Sequence, residues 1–150
     1  MISKFLSGNN IVLIACILLF SCADSKSRHI GEWSNNDGGR NWVVKFTPDS
    51  LVQILDDSIP VLGGPYYKLN DGQPGTCRFE IDYTKNPIWL DVVVFPKDQK
   101  KEIGRIKGIV RFISSDKMEW RINPTGERFK NFDNQAPNEV TKFKRLVSGR

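Results

Sequence analysis

Histidine and cysteine are scarce in this sequence: one His and three Cys in 150 residues. A single imidazole excludes every site built on two histidines, and His29 lies close to the N-terminal segment, where a Ser–His–Asp hydrolase would not place its base. Three cysteines exclude a disulfide-framed miniprotein, and no Cys/His pair has the spacing of a zinc site. Nor does an EF-hand-like loop surround Asp56-Asp57 or Asp71, which read as solvated turn residues. Beyond Phe20 no apolar run is long enough to cross a bilayer, and no repeat or low-complexity block appears. Neither sign of charge dominates, since 22 Lys and Arg face 17 Asp and Glu for a net +5. A chain that is 39% apolar and 26% charged is too hydrophobic to stay disordered, and its length suits one domain.

The first residues differ from the rest. Lys4 is the one charged side chain before Asp24, and a ten-residue apolar run extends from Ile11 to Phe20. As a helix that run would measure ~15 Å, about half the thickness of a hydrocarbon core. Too short to span, it suits the apolar centre of a secretory signal peptide, expected here as a helix over residues 1–21. Leu19-Phe20-Ser21-Cys22, followed by polar residues, resembles a bacterial lipobox, which makes Cys22 the expected lipidation site. A rival at Leu13-Ile14-Ala15-Cys16 would strand Ile17–Phe20 on the mature product, so Cys22 is preferred. Residues 22–29 then form the lipidated N-terminus and a tether, with His29 expected in solvent. Acyl chains on one cysteine contribute ~0.8 kcal/mol of membrane affinity per buried methylene. The expected location is the bacterial cell envelope, lipid-anchored, and Ala23 after the cysteine favours the outer membrane over the inner.

After this segment come short runs rich in β-branched and aromatic residues: Trp42–Phe46, Leu51–Leu55, Tyr66–Leu69, Cys77–Tyr83, Ile88–Phe95, Arg105–Ile113, Lys117–Ile122 and Lys142–Leu146. Turn residues separate them, among them Thr47-Pro48-Asp49-Ser50, Leu62-Gly63-Gly64-Pro65 and Asn70-Asp71-Gly72. Cys77, Phe79 and Ile81 alternate with Arg78, Glu80 and Asp82; Leu90, Val92 and Val94 oppose Asp91; Met118, Trp120 and Ile122 oppose Glu119 and Arg121. Such alternation marks antiparallel strands with one dry face. Eight or nine strands with no helix to cover a second face make the fold class all-β and leave a closed barrel or a sandwich; closure of exposed edges favours the barrel, expected as eight-stranded and antiparallel over residues 30–147, with a tail at 148–150.

Gly31-Glu32-Trp33 opens the globular part and Lys144-Arg145-Leu146 closes it. Between them, in order, stand Glu80-Ile81-Asp82-Tyr83, Asn86-Pro87-Ile88-Trp89-Leu90, Lys107-Gly108-Ile109-Val110 and Gly126-Glu127-Arg128, with Phe132 after. This ordered set resembles an uncharacterised lipocalin-like domain family of secreted bacterial proteins and lipoproteins, the planctomycete-type uncharacterised domain, over Ile30 to Leu146. The resemblance implies a lipocalin-like barrel whose end is closed by Gly31, Trp33 and Arg145, the guanidinium stacking on the indole in a contact worth ~0.5–2 kcal/mol. The family has no assigned activity, so the resemblance implies a fold and a compartment and no reaction.

No residue is expected to be catalytic and no cofactor or metal is expected. Glu80, Asp82 and Asp91 could pair as glycosidase carboxylates, but their alternation puts them on the wet face. Cys77 is placed on the dry face as a structural thiol. Lys97, Lys100, Lys101, Arg105 and Lys107 surround a hairpin tip without exposed stacking aromatics, so no nucleic-acid partner is expected. A barrel of eight strands either fills with side chains or holds one small ligand. If it holds one, Phe79, Ile81, Val92, Val94, Val110, Phe112 and Trp120 would line the site. The expected function is therefore that of a membrane-anchored, non-enzymatic lipoprotein that binds a small apolar or amphipathic molecule. The alternative is a protein-interaction module of the envelope, an assembly partner or hydrolase inhibitor, presenting Gly63-Gly64-Pro65 and Asn131–Pro137 from a filled barrel.

Overall fold

The computed structural model describes residues 27–36, 39–124, 126–133 and 140–147. Cys22, the signal segment, the tail at 148–150 and most of the Asn131–Pro137 loop lie outside the described residues. Nine antiparallel strands form one sheet: β1 (Gly31–Asn35), β2 (Trp42–Phe46), β3 (Val52–Asp56), β4 (Ile59–Gly63), β5 (Gly75–Asp82), β6 (Ile88–Pro96), β7 (Gly104–Phe112), β8 (Lys117–Asn123) and β9 (Thr141–Arg145). Their order is β4-β3-β2-β1-β9-β8-β7-β6-β5. The sheet curls until β3 and β4 meet β5, where Leu51 bridges Arg78 and the Phe79 amide donates to Ser50 O at 3.0 Å. The result is a nearly closed barrel with no α-helix among the described residues.

The strand count exceeds eight by one, and the extra strand lies where a turn was expected. Asp57 and Ser58 both have positive φ, 47° and 71°, which is the two-residue hairpin turn that matches strand twist. It returns the chain as β4, paired with β3 through Asp56↔Ile59 and Gln53↔Gly63 around an irregularity at Ile54/Leu55. Pro60 lacks a donor and is tolerated because β4 is an edge strand. Tyr66–Leu69, expected as a strand, contributes one isolated bridge, Lys68↔Pro74. Leu69 and Gly72 close a turn there, with the Gly72 amide donating to Leu69 O at 2.9 Å.

Period-two alternation fills the barrel. Trp33 from β1, Phe46 from β2, Phe79 from β5, Leu90 and Val92 from β6, Val110 from β7, Trp120 from β8 and Phe143 from β9 form one buried cluster. Rings interlock edge to face, with Phe46 centred 5.2 Å from Phe79 and 6.0 Å from Trp120. Each such side chain removed from water contributes roughly 1.5–3 kcal/mol.

The β6–β7 ladder breaks between Trp89↔Ile109 and Val92↔Ile106. Side chains replace the missing backbone bonds. Trp120 reaches across Gly108 to donate its indole N–H to Leu90 O at 3.2 Å, and the Gly108 amide donates to Asp91 Oδ1 at 3.1 Å. A Cβ on Gly108 would lie 2.5 Å from both Leu90 O and Trp120 Nε1, so no larger residue fits.

A second, smaller packed layer lies outside the barrel wall. Val93 and Ile109 alternate out of the interior yet are wholly buried. Residues 126–133 pack on the outer wall, with Phe132 buried, Arg121 donating to Asn131 O at 2.9 Å and Arg128 donating to Gly108 O at 2.6 Å. The Arg121 guanidinium lies 3.7 Å from the Phe129 ring centre and that of Arg111 4.4 Å from Phe132.

Candidate functional site

One end of the barrel is sealed by Trp33, Arg145 and Gly31. Trp33 and Arg145 are directly opposed where β1 meets β9, and the guanidinium sits 4.2 Å from the centre of the buried indole. It also donates to Ile30 O at 2.6 Å, to Ser115 O at 3.0 Å and to Arg28 O. Gly31 has φ +123°, and a Cβ there would stand 2.8 Å from the Arg145 guanidinium. The Trp33 indole N–H donates to His29 O at 2.8 Å. These bonds fold residues 27–30 across the opening.

His29 therefore does not sit in solvent, as a tether residue would. It is 5% exposed, its Nδ1 lies 2.8 Å from the Tyr83 hydroxyl, and its ring meets Phe79 edge-on at 4.9 Å. Burial, reinforced by the nearby Arg145 cation, lowers its pKa from the usual value. Nothing in its sequence neighbourhood signals this; Trp33 and Arg145 anchor the backbone of residues 28–30, and Phe79 and Tyr83 receive the ring.

Asp91 also departs from expectation. It points out of the barrel, but the 126–133 segment covers that face, leaving it 4% exposed. Arg128 holds it through both guanidinium NH groups, one of them donating to Asp91 Oδ2 at 2.7 Å. Arg105 joins Asp91 at 3.1 Å, Glu80 at 2.7 Å and Glu102 at 2.6 Å. Burial alone would raise the Asp91 pKa, but hydrogen bonds from Arg128, Gly108 and Arg105 outweigh it and hold the carboxyl below its usual range. Every acid in this group is occupied by a guanidinium, which suits an ion-pair brace rather than a general acid. Arg128 further stacks 4.2 Å from the Trp89 ring centre.

The seven residues expected to line a ligand site are drawn together, but as core. Phe79, Val92, Val110 and Trp120 belong to the buried cluster, and Ile81, Val94 and Phe112 pack against it. None of the seven lines the apolar cavity at the barrel seam. That cavity, about 570 Å³, opens at the seam where β3 and β4 meet β5. Leu51, Val52, Tyr67 and Cys77 form its apolar walls, with Pro65, Tyr66 and Pro74 beside them and Lys45, Lys68 and Lys97 around it. The chain between β4 and β5 builds one side: the Tyr67 amide donates to Gly64 O at 3.3 Å and the Gly75 amide to Tyr67 O at 3.0 Å. A neighbouring cavity of about 550 Å³ shares Gln53, Pro65, Tyr66, Tyr67 and Lys68 with it.

Cys77 sits at the wall of the seam cavity, buried and free. Burial pushes its thiol up to about 11, against the opposing effects of the Gly63 backbone and Tyr67 hydroxyl. At neutral pH it is a thiol and a poor nucleophile. No group of three or more His, Cys, Asp or Glu among the described residues is arranged to hold a metal ion. Of the basic hairpin residues, Arg105 and Lys107 are ion-paired, the latter to Glu127 at 3.3 Å. Lys97 instead lines the cavity. No protein-family model, curated protein or solved structure matches this chain.

Proposed function

We propose that this chain is a non-enzymatic, lipid-anchored protein of the bacterial cell envelope, built on a lipocalin-like barrel, that binds one small apolar or amphipathic molecule at the β3–β4/β5 seam. The observation that carries the reading is the seam cavity. Its volume falls in the range of small-molecule sites, roughly 300–1,000 Å³, and its walls present Leu51, Val52, Tyr67 and Cys77 to an occupant. The interior of the barrel is already filled by Phe46, Phe79 and Trp120. The lipocalin-like reading draws support from the stacking of Arg145 on Trp33 where the first and last strands meet. The anchor rests on Cys22 after the apolar run Ile11–Phe20, and the preference for the outer membrane on Ala23 after that cysteine.

Three measurements test this. Mass spectrometry of the mature N-terminus should find Cys22 as an acylated first residue, and Cys22→Ala should release the protein from membranes. The full chain in phosphatidylcholine nanodiscs should bind the neutral dye N-phenyl-1-naphthylamine saturably, one per chain, above empty nanodiscs. A linear, non-saturating signal would defeat the binding reading.

A second reading, an envelope protein-interaction module, is favoured by the apolar edge strand. Ile59, Val61 and Tyr66 are 67%, 45% and 91% exposed on and just after β4. Crosslinking from Val61 in the native envelope, yielding one specific protein adduct, would favour this reading over small-molecule binding.

A further inference from the structure

We infer that the molecule bound at the seam is an anion: one small apolar body carrying a single carboxylate, sulfonate or phosphate that Lys68 and Lys97 hold. This deepens the binding function proposed above and rests on it. The cavity is bordered by three lysines and by no aspartate or glutamate. That lining carries positive side chains alone, in a chain whose 22 Lys and Arg face 17 Asp and Glu. Asp49, Asp71 and Asp98 neighbour lining residues in sequence, but none of them lines the cavity, and Asp71 accepts from the Gln73 amide at 3.0 Å. Glu32 holds Lys45 at 2.7 Å, and Glu80 and Glu102 hold Arg105 at 2.7 and 2.6 Å. Lys68 and Lys97 make no ion pair among the described residues, and both are exposed.

Their positions fit a head-and-body ligand. Lys97 follows β6, its backbone amide tied to Pro74 O at 2.9 Å, and Lys68 bridges Pro74 on the adjoining turn. Both side chains thus depart from backbone fixed beside the cavity, while their flexible stems leave the ammonium groups free to reach a charge at its mouth. The apolar walls of Leu51, Val52 and Tyr67 lower the local dielectric and strengthen attraction between those ammonium groups and an anion. A volume of about 570 Å³ suits one single-bodied molecule, so the proposed source is a dispersed small anion, and the lipid-composition arm of the test separates it from the bilayer.

The test uses two dyes that differ by one sulfonate, 1-anilinonaphthalene-8-sulfonate and neutral N-phenyl-1-naphthylamine, with the full chain in phosphatidylcholine nanodiscs. The sulfonate should bind about tenfold tighter, a preference that added salt erodes for the anion alone. In the double variant Lys68→Gln/Lys97→Gln, the sulfonate should fall to the neutral dye's affinity while the neutral dye is unchanged. Thr76→Trp, which fills the cavity wall, should abolish both. Equal affinities for the two dyes in the native chain, both lost in Thr76→Trp, would overturn the charge inference and leave the binding function standing. No saturable binding of either dye would overturn both. Loss of sulfonate binding when phosphatidylglycerol replaces part of the nanodisc lipid would assign the lysines to the bilayer and overturn the inference.

Discussion

Arg128 donates to both carboxylate oxygens of Asp91, and Arg105 adds a third charged contact, all beneath the 126–133 segment. Removing one member of such a buried pair leaves the other charge stranded, so Asp91→Asn should cost about 3 kcal/mol, read as a shifted urea midpoint. Adding Arg128→Met should recover part of that loss, because it removes the guanidinium charge that Asp91→Asn leaves unpaired. A carboxyl held below its unfolded pKa gives stability that is present above about pH 4 and drains away as pH falls through the folded value. Asp91→Asn should therefore flatten the acid limb of the stability curve. His29 has the same sign for a different reason. Its folded pKa is lowered, so the unfolded chain takes up the proton first, and stability declines as pH drops below about 6.5. In His29→Gln the slope of unfolding free energy between about pH 7 and 5 should vanish, since no other histidine titrates there. A slope that persists would show that another group carries it.

Among the elements, β6, β7 and β8 depend on one crossing. Trp120 passes over Gly108 to reach Leu90 O, and Gly108→Ala would place a methyl within 2.5 Å of both groups. The expected cost is about 3 kcal/mol, the upper end for overpacking, with the m-value in urea unchanged. Most strands were legible because they alternate cleanly: Cys77–Tyr83, Ile88–Phe95 and Lys117–Ile122 reveal their dry faces at a glance. β4 was hidden because Ile59-Pro60-Val61 combines a proline with an unburied apolar pair, and its turn residues Asp57 and Ser58 lack the glycine that usually announces a tight hairpin. Asp91 was misplaced for a related reason. Alternation tells which way a side chain points relative to the barrel, but not whether a distant segment will cover the outer wall. The seam cavity was invisible because it arises from how far the sheet curls, a property that no local pattern encodes.

At the scale of the whole molecule, closure is uneven. β1 and β9 meet through backbone pairing, the Arg145 guanidinium and the Trp33 indole, whereas the seam rests on the Leu51↔Arg78 bridge and the Phe79–Ser50 bond. Regions with fewer ladder bonds open at lower free energy than the global transition. Native-state hydrogen exchange should find the amides of β4 and the free edge of β5 exchanging through partial opening. Those of β1, β7 and β9 should exchange only with complete unfolding. The reverse ranking would mean that the seam is tighter than its few bonds suggest. The placement of β9 has a consequence for how the protein is made. A ribosome delivers Thr141–Arg145 after all the partners of those residues have emerged, yet this strand lies between β1 and β8 and joins one meander to the other. Each meander can assemble on its own by neighbouring turns; neither can find the other without this late arrival. A nonsense codon just upstream of Thr141 would leave two ribbons lacking their common border.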